Sequence, residues 1–482
     1  MSMSIEKKTE SVQSPTFVHA EHQDDKPTTR DVDELGFASG SGNGRVKDMP
    51  SDNDVVLRTI LSAEAGVGCR CAECVAQEEE VADRLSPGRK GWINLAGAVT
   101  VNAICYGMTN SFGVFQSYYT TDLIPQTSST SISWIGSLQL CLCPLLGCIS
   151  GPLFDAGYLR PLIGFGGALY VFCLMMTSLG HAYWHFLLAH GIGVGLGMGL
   201  MFSPSVATIS HHFGKTRYRT LAFGCQAAGS SLGGIVFPIM LRFLFPKVGF
   251  GWAVRIMAFV VLCVVIFAFF TLSSIHVPRK KLAILSPTVF RDKGYDLYVL
   301  GVGLISLTIY CPLTFGVTYA RSRGMAAGLA SYSLAIANGC SIVGRILPLI
   351  VAQKFGPLNV LTLFAALSAV MLFSWTTART IPAVLVYDAF YGITCGAYAA
   401  AVNPSAASFA KEPDQVGLYL GMAFFTTSFF WLAGTPITAA LIGSKDNYLP
   451  GSMFCGAVVI LGAVSCAFAR WLASRDRGTN WV

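Results

Sequence analysis

Charged side chains are scarce in most of this chain. Only 12% of its residues are Asp, Glu, Lys or Arg, about half of the share that is usual in soluble domains. Of the 26 acidic residues, 17 lie within residues 1–88, so only nine remain in the rest of the sequence. Apolar residues make up 53% of the chain, and the mean hydropathy is +0.56. This composition excludes an ordinary soluble globular protein beyond residue 88 and indicates a membrane protein.

The signatures of several other protein classes are also missing. The sequence has no phosphate-binding glycine loop with its lysine, so we do not expect ATP to supply energy. No Ser-His, paired-acid or His-cluster arrangement lies within the apolar segments, which makes an enzyme the weakest hypothesis. The N-terminal sequence has no basic start followed by an apolar core, so we expect no cleavable signal peptide. We expect no metal site at Cys69, Cys71 and Cys74, because no fourth ligand lies nearby. We also expect no cofactor.

The apolar segments have the length of membrane-spanning helices. From Gly91 onward, runs of about 20 or more apolar residues alternate with short polar breaks, as a bilayer requires. About twelve such spans are predicted, and the longest polar break divides them six and six. We therefore predict an all-α multi-pass membrane protein with a disordered cytoplasmic tail (1–88), a six-helix half (89–275), a cytoplasmic central loop (276–295), a second six-helix half (296–475) and a cytoplasmic C-terminus (476–482).

Basic residues predict the orientation of these spans. If the N-terminus is cytoplasmic, the inner loops hold 17 Lys and Arg residues and the outer side holds seven. Positive charge in short loops favours the cytoplasmic side of a membrane. We therefore expect both termini in the cytoplasm, most simply at the plasma membrane. The expected partners are the lipid bilayer and a small molecule, with no nucleic acid, and the oligomeric state is left open.

The two predicted halves repeat each other at an offset of about 200 residues. Four matches occur in the same order: Ser111–Val114 with Thr314–Val317, Asp155 with Gln353, Ser203–Ser205 with Asn403–Ser405, and Pro238 with Pro436. Repeated matches at a nearly constant offset indicate an internal duplication. Because each copy has an even number of spans, both copies enter the membrane in the same direction. Parallel repeats of this kind are the architecture of the major facilitator halves.

An arginine lies within the apolar run from Ser331 to Pro348. An arginine in hydrocarbon costs about 2.5 kcal/mol or more, so it usually faces a polar cavity or a partner. The spacing of Asn338, Ser341 and Arg345 places them on one face of a helix, and this indicates a polar surface inside the protein. Arg345 is the leading candidate to bind an anionic substrate, since its guanidinium matches a carboxylate. The alternative is a structural arginine bonded to backbone carbonyls of a neighbouring helix.

The loop after the second span carries a recognisable motif. Gly151, Asp155 and Arg160 resemble the loop motif of the major facilitator superfamily, with the arginine displaced. A carboxylate at this helix end can hold the N-terminus of a neighbouring helix or a basic side chain, and so act as a gate. The alternative is a solvated charge at the membrane surface.

Three further stretches resemble one family within that superfamily. Tyr106–Tyr119, Gly229–Pro238 and the segment from Asn338 to Arg345 are similar to helices of the monocarboxylate porter family, especially its fungal branch. The resemblance implies a proton-linked carrier of organic anions. Animal lactate carriers of that family have a lysine at the position of Asn110 and an acid at that of Ser341. These two departures put proton coupling and a lactate-sized substrate in doubt.

The remaining candidates are polar residues within the spans. Asn110, Asn338 and Asn403 would offer polar contacts to a substrate, and Tyr391, with Tyr387, would add aromatic walls. Asp388 lies about seven residues from the outer end of its span, and we interpret it as a proton site, an outer-gate residue or an interfacial residue.

The leading hypothesis for function is a secondary transporter that works by alternating access. Its substrate would be a monocarboxylate, a larger organic anion such as an acidic secondary metabolite, or a neutral compound, moved in either direction. The second hypothesis is a nutrient sensor that has a transporter body and signals through its acidic tail.

Overall fold

The computed structural model describes most of the chain beyond residue 86. The described residues are 87–213, 216, 218–274, 287–410, 416–443 and 447–478. They all belong to one compact unit, Cys69–Val482. The predicted tail (1–88, except its last two residues), the cysteines of the C-x-C-x-x-C motif and most of the predicted central loop lie outside them.

The first half consists of six helical spans, several of them interrupted. The helix α1 comprises Gly88–Asn110 and Phe112–Tyr118, α2 comprises Ser129–Leu145 and Gly147–Asp155, and α3 is Leu159–Thr177. The helix α4 comprises Tyr183–Phe186, a π-helical turn Leu187–Gly193 and Val194–Phe213. The long element Arg219–Thr271 turns at Gly249, which divides it into α5 (219–248) and α6 (250–271).

The second half repeats this arrangement. The helix α7 comprises Lys293–Thr308 and Cys311–Ser322, and the remaining spans are α8 (Ala327–Phe355), α9 (Pro357–Ser374), α10 (Ile381–Ser408), α11 (Val416–Ile442) and α12 (Tyr448–Arg477). No strand occurs in the described part of the chain. The predicted all-α multi-pass fold is confirmed.

Within the described residues, ten helical segments are long and apolar enough to cross a membrane. The predicted number was about twelve, and two features account for the difference. The segment Leu221–Thr271 counts once although it contains α5 and α6. The helix α1 is not among the ten, because its buried residues Asn94, Asn102 and Asn110 lower its hydropathy.

Local sequence signals set several helix ends. The carboxylate of Asp292 accepts hydrogen bonds from the backbone N–H groups of Gly294 and Tyr295 and so caps α7, which satisfies donors that have no partner within the helix. Gly356 ends α8 with a φ of 85°, a conformation that glycine adopts readily. Pro357 then begins α9, where its missing N–H costs nothing.

Close helix contacts within each half depend on glycine. A Cβ at Gly233 of α5 would overlap the carbonyl oxygen of Ala103 in α1, and one at Gly434 of α11 would overlap that of Leu307 in α7. Small residues let helix backbones approach closely in membranes. The outer surface is apolar, as the exposed side chains of Phe165, Phe270 and Phe390 show.

The two ends of the helical bundle are distinct. Trp92 of α1 packs on Phe213 of α4 with ring centroids 5.5 Å apart, and the Asn94 side chain accepts a hydrogen bond from the backbone of Ser273. We call this end, where α1 begins and α4 and α6 finish, the chain-end face. The opposite end, where Tyr119 packs on Phe186 at 4.8 Å, is called the far face.

Candidate functional site

A cavity of about 720 Å³, a volume that includes its opening, lies between the two halves. The first half contributes Asn102, Tyr106, Pro144, Phe202, Gln226, Ala227 and Ser230 to its lining, and the second half contributes Val302, Ser306, Tyr310, Arg345, Tyr398, Ala399, Val402, Asn403, Phe424, Thr427 and Trp431.

Several contacts between the halves lie on the far-face side of this cavity. The α7 backbone at Leu313 packs directly against Gly113 of α1. The Arg321 guanidinium of α7 donates a hydrogen bond to the Ser117 hydroxyl of α1 at 3.0 Å. The hydroxyl groups of Ser137 in α2 and Thr435 in α11 are also hydrogen-bonded. The halves therefore touch beyond the cavity at the far face.

Arg345 joins the halves at the cavity itself. It lies on α8, is 4% exposed, and donates from Nη1 to the backbone carbonyl of Ala227 in α5 at 2.6 Å. Its buried Nε has no hydrogen-bond partner. A buried guanidinium with an unused donor is costly unless a further partner arrives. Among the lining residues, all of which the structure describes, only Arg345 is charged.

Other polar groups in the lining also have unused hydrogen-bonding capacity. The Asn102 amide donates to the Gln226 carbonyl at 2.6 Å and to that of Ala227 at 3.3 Å, while its Oδ1 has no partner. The buried Nε2 of Gln226 also has none. Asn102 and Arg345 thus donate to the same Ala227 carbonyl, and Gln226 directly precedes Ala227 in α5. The cavity can therefore accept both donors and acceptors of a ligand.

Comparisons with known proteins agree with this architecture. The family model of the Major Facilitator Superfamily matches residues 95–387. The chain belongs to the major facilitator superfamily. It is therefore a multi-pass membrane transporter. Members of this superfamily are transporters and not enzymes.

Fungal transporters are among its relatives. The aspyridones efflux protein apdF of Emericella nidulans is 34% identical over 81% of this chain and 80% of its own length. The agnestins efflux protein AgnL12 of Paecilomyces divaricatus is 35% identical over 78% of this chain and 86% of its own. The crystal structure of the nucleoside transporter NupG has a TM-score of 0.61 over 78% of this chain and 99% of that protein, at 14% identity, and supports the fold.

The transporter brings only some of the candidate substrate residues to the cavity. Arg345 and Asn403 line it, whereas Asn110, Asn338 and Tyr391 do not. The Asn110 amide donates to the Ser230 carbonyl of α5 at 3.4 Å, and that of Asn338 donates to a carbonyl of its own helix at 2.9 Å. The Tyr391 hydroxyl donates to the Ile309 carbonyl of α7. These three buried groups therefore serve contacts within and between helices.

Asp388 lies apart from the cavity in the contact between α10 and α8. It is 8% exposed, and its Oδ2 has no hydrogen-bond partner. The hydroxyl of Ser333 in α8 donates to the Ala330 carbonyl of its own helix. Its neighbour Tyr387 stacks on Tyr391 with ring centroids 5.8 Å apart, and it also lies outside the cavity lining.

The candidate gate residues lie at the chain-end face. Asp155 ends α2 and Arg160 follows at the start of α3, and both side chains are exposed. Gly151 lies near α4, since a Cβ there would be 3.6 Å from the Ser203 hydroxyl. Their role in gating stays a prediction.

Most of the lining was missed by sequence reasoning. Gln226 gave a usable signal, because an amide inside an apolar span needs a polar neighbour. The aromatic residues Tyr106, Tyr310 and Trp431 gave none, because aromatic side chains are common throughout membrane spans. Within the described ranges, no group of three His, Cys, Asp or Glu side chains is placed to hold a metal ion.

Proposed function

We propose that this transporter exports a small organic acid, of the kind made in fungal secondary metabolism, and that Arg345 binds its anionic group. The observation that carries the proposal is the buried Nε of Arg345, which has no partner and belongs to the only charged residue of the cavity lining. A carboxylate or an ionised phenol would complete the hydrogen bonding of this guanidinium.

The hydrogen bond from Arg345 to Ala227 gives anion binding a mechanical consequence. This bond connects α8 of the second half to α5 of the first. A carboxylate bound at Nε would draw the guanidinium toward itself and away from the Ala227 carbonyl, which is a weaker, uncharged acceptor. Binding of the anion would therefore loosen one contact between the halves. Such a link between occupancy and movement is what alternating access requires.

The relatives support export of a metabolite. Two of them are named as efflux proteins, for aspyridones and for agnestins. The resemblance to the monocarboxylate porters supports an acidic substrate, although Asn110 and Ser341 replace the charged residues of the lactate carriers.

Orientation and energy supply are part of the same proposal. The distribution of basic residues favours a cytoplasmic chain-end face, in which case the contacts at the far face would close the outer side of a plasma-membrane transporter. A gradient would drive transport, with Asp388 as the candidate proton or gate residue and Gly151, Asp155 and Arg160 as an inner gate. The sensor hypothesis depends on the tail, which lies outside the described residues.

Replacement of Arg345 tests this proposal. We expect Arg345→Ala to weaken binding of the transported anion by about 10- to 100-fold, since a hydrogen bond to a charged group contributes about 1.5–3 kcal/mol. Arg345→Lys keeps the charge but loses the planar fork, so its effect should be smaller. Binding and flux are measured in proteoliposomes with a panel of carboxylic and phenolic acids that extends from lactate to aromatic metabolites.

The matched control is Arg255→Ala. The Arg255 side chain lies on α6 and donates to the Ser178 hydroxyl within the first half, outside the cavity. This variant should retain flux at an equal amount of incorporated protein. Unchanged uptake of every transported anion by Arg345→Ala would remove Arg345 from the site, and no flux of any acid in the native protein would refute the proposed substrate class.

A further inference from the structure

We propose that the cavity selects flat, conjugated ring systems and holds them with their acidic group toward Arg345, an inference that rests on the proposed function. Five aromatic side chains carry it. They are Phe424, Phe202, Tyr106, Trp431 and Tyr310, and together they are called the aromatic row. All five line the cavity.

The rings of the aromatic row follow one another in a continuous series. The ring centroids are 6.2 Å apart between Phe424 and Phe202 and 4.8 Å apart between Phe202 and Tyr106. They are 6.2 Å apart between Tyr106 and Trp431 and 4.9 Å apart between Trp431 and Tyr310. Centroid distances of about 4.5–7 Å are those at which aromatic rings attract each other.

The aromatic row crosses the interface between the halves twice. Tyr106 and Phe202 belong to the first half, and the other three rings belong to the second. The two pairs that join the halves, Phe202 with Phe424 and Tyr106 with Trp431, are the more widely spaced ones and meet edge to face at an interplanar angle of 66°. Movement of the halves changes these two spacings. A flat ring that lies along the row would contact both halves at once.

The row ends beside the positive charge. Tyr310 and Arg345 line the same cavity, and Trp431 packs on Tyr310. A ligand that stacks along Trp431 therefore directs one end toward the guanidinium. The site combines an aromatic slot with a cation at one end, which matches an aromatic or otherwise conjugated acid.

The aromatic row is accessible from the cavity. Tyr106, Phe424 and Trp431 are only half-buried, although they lie in the middle of the bundle. The apolar lining residues outside the row are small, namely Pro144, Ala227, Val302, Ala399 and Val402, apart from Tyr398. Aromatic faces therefore supply most of the apolar contact area, and a flat ring uses that area better than a puckered one.

A pair of probes that differ only in ring saturation tests the inference. We would measure the binding of 2-naphthoate and of trans-decahydro-2-naphthoate to the purified full-length protein by calorimetry. Both acids carry the same carboxylate on the same carbon skeleton. We expect 2-naphthoate to bind about tenfold more tightly, because only its rings are flat and aromatic.

Variants of Trp431 assign this preference to the aromatic row. Trp431→Leu should reduce the preference for 2-naphthoate to about twofold or less, whereas Trp431→Phe should retain most of it. Trp184→Leu is the control, since Trp184 is 65% exposed on the surface of the bundle, and it should retain the full preference. Melting temperatures show whether each variant is folded. If Trp431→Leu does not fold, Trp431→Phe still provides a folded variant for the test.

Several outcomes would overturn the inference. These are equal binding of the two acids, absence of binding of both, and a preference that persists in a folded Trp431→Leu variant. The Arg345→Ala variant separates this inference from the proposed function. If Arg345→Ala binds both acids as tightly as the native protein and still prefers 2-naphthoate, the anion site is refuted and the role of the aromatic row is retained. If both acids lose affinity there but native protein shows no ring preference, the proposed function stands and this inference falls.

Discussion

At the scale of single residues, position along a helix decides which polar side chains reach the cavity. Asn403 of α10 lines the cavity next to Val402, whereas Asn110 of α1 lies beyond it, toward the far face. Asn110 is 1% exposed and donates to the Ser230 carbonyl. The two asparagines therefore have the same chemistry but different surroundings.

This difference gives a paired prediction. We expect Asn403→Ala to weaken binding of the transported acid by about threefold to tenfold, the range for loss of one uncharged hydrogen bond. Asn110→Ala should leave that affinity within about twofold, because no ligand in the cavity contacts it. Binding of the acid that gives the strongest signal with native protein measures both effects. Equal losses in the two variants would contradict the placement of the site.

The sequence could identify Arg345 and Asn403 but not the complete site. A charge or an amide inside an apolar run needs a polar environment, and this requirement can be read from the sequence. The sequence does not show whether a cavity or a neighbouring helix meets that need. Asn110 and Tyr391 donate hydrogen bonds to backbone carbonyls of neighbouring helices, and Asn338 donates to a carbonyl of its own helix. The aromatic row had no sequence signal, because it depends on helices from both halves.

At the scale of helices, close packing of α1 on α5 holds the first half together. Gly107 of α1 and Gly233 of α5 face each other, since a Cβ on Gly107 would be 2.6 Å from the Gly233 Cα. The carbonyl oxygen of Ala103 lies on the other side of the same contact. Neither helix has room for a side chain there.

We expect Gly233→Ala to destabilise the transporter. The added methyl group would overlap the Ala103 carbonyl, so the two backbones would have to separate, and such overpacking typically costs about 1–3 kcal/mol. The melting temperature of the purified protein measures the effect. Gly316→Ala is the control, because a Cβ at Gly316 of α7 meets nothing within 4 Å. An equal melting temperature for the two variants would refute the role of this contact.

Hydropathy predicted the helices better than it predicted their interruptions. The apolar runs located the spans because a bilayer demands long apolar helices. The break in α1 at Ser111, the π-helical turn in α4 and the turn at Gly249 did not emerge from that reasoning. Gly249 has a φ of 74° and a ψ of 172°, a conformation that is essentially restricted to glycine. Such local geometry depends on neighbouring helices and is not fixed by the hydropathy of one segment.

At the scale of the whole molecule, the internal duplication anticipated two similar halves. The structure repeats the close glycine contact of α5 with α1 in the contact of α11 with α7. The cavity lies between these halves, and Arg345 is bonded across their interface. The cytoplasmic location of both termini stays a prediction, because the structure contains no membrane.

Contacts between several pairs of helices close the far face in this conformation. Arg321 of α7 contacts Ser117 of α1, and Ser137 of α2 contacts Thr435 of α11 through their hydroxyl groups. Thr435 lies one helical turn beyond the cavity residue Trp431. If substrate passes through the cavity by alternating access, Ser137 and Thr435 must separate once in every cycle.

The most direct test of this account is the flux through a transporter whose far face can be locked. The variant Ser137→Cys/Thr435→Cys is reconstituted into proteoliposomes, with each single cysteine variant as a control for the native cysteines. After oxidation, we expect the double variant to bind the transported acid but to carry none, and reduction should restore flux to that of the single variants. Equal flux in the oxidised and reduced states, with the cross-link verified on the same sample, would contradict alternating access through this cavity.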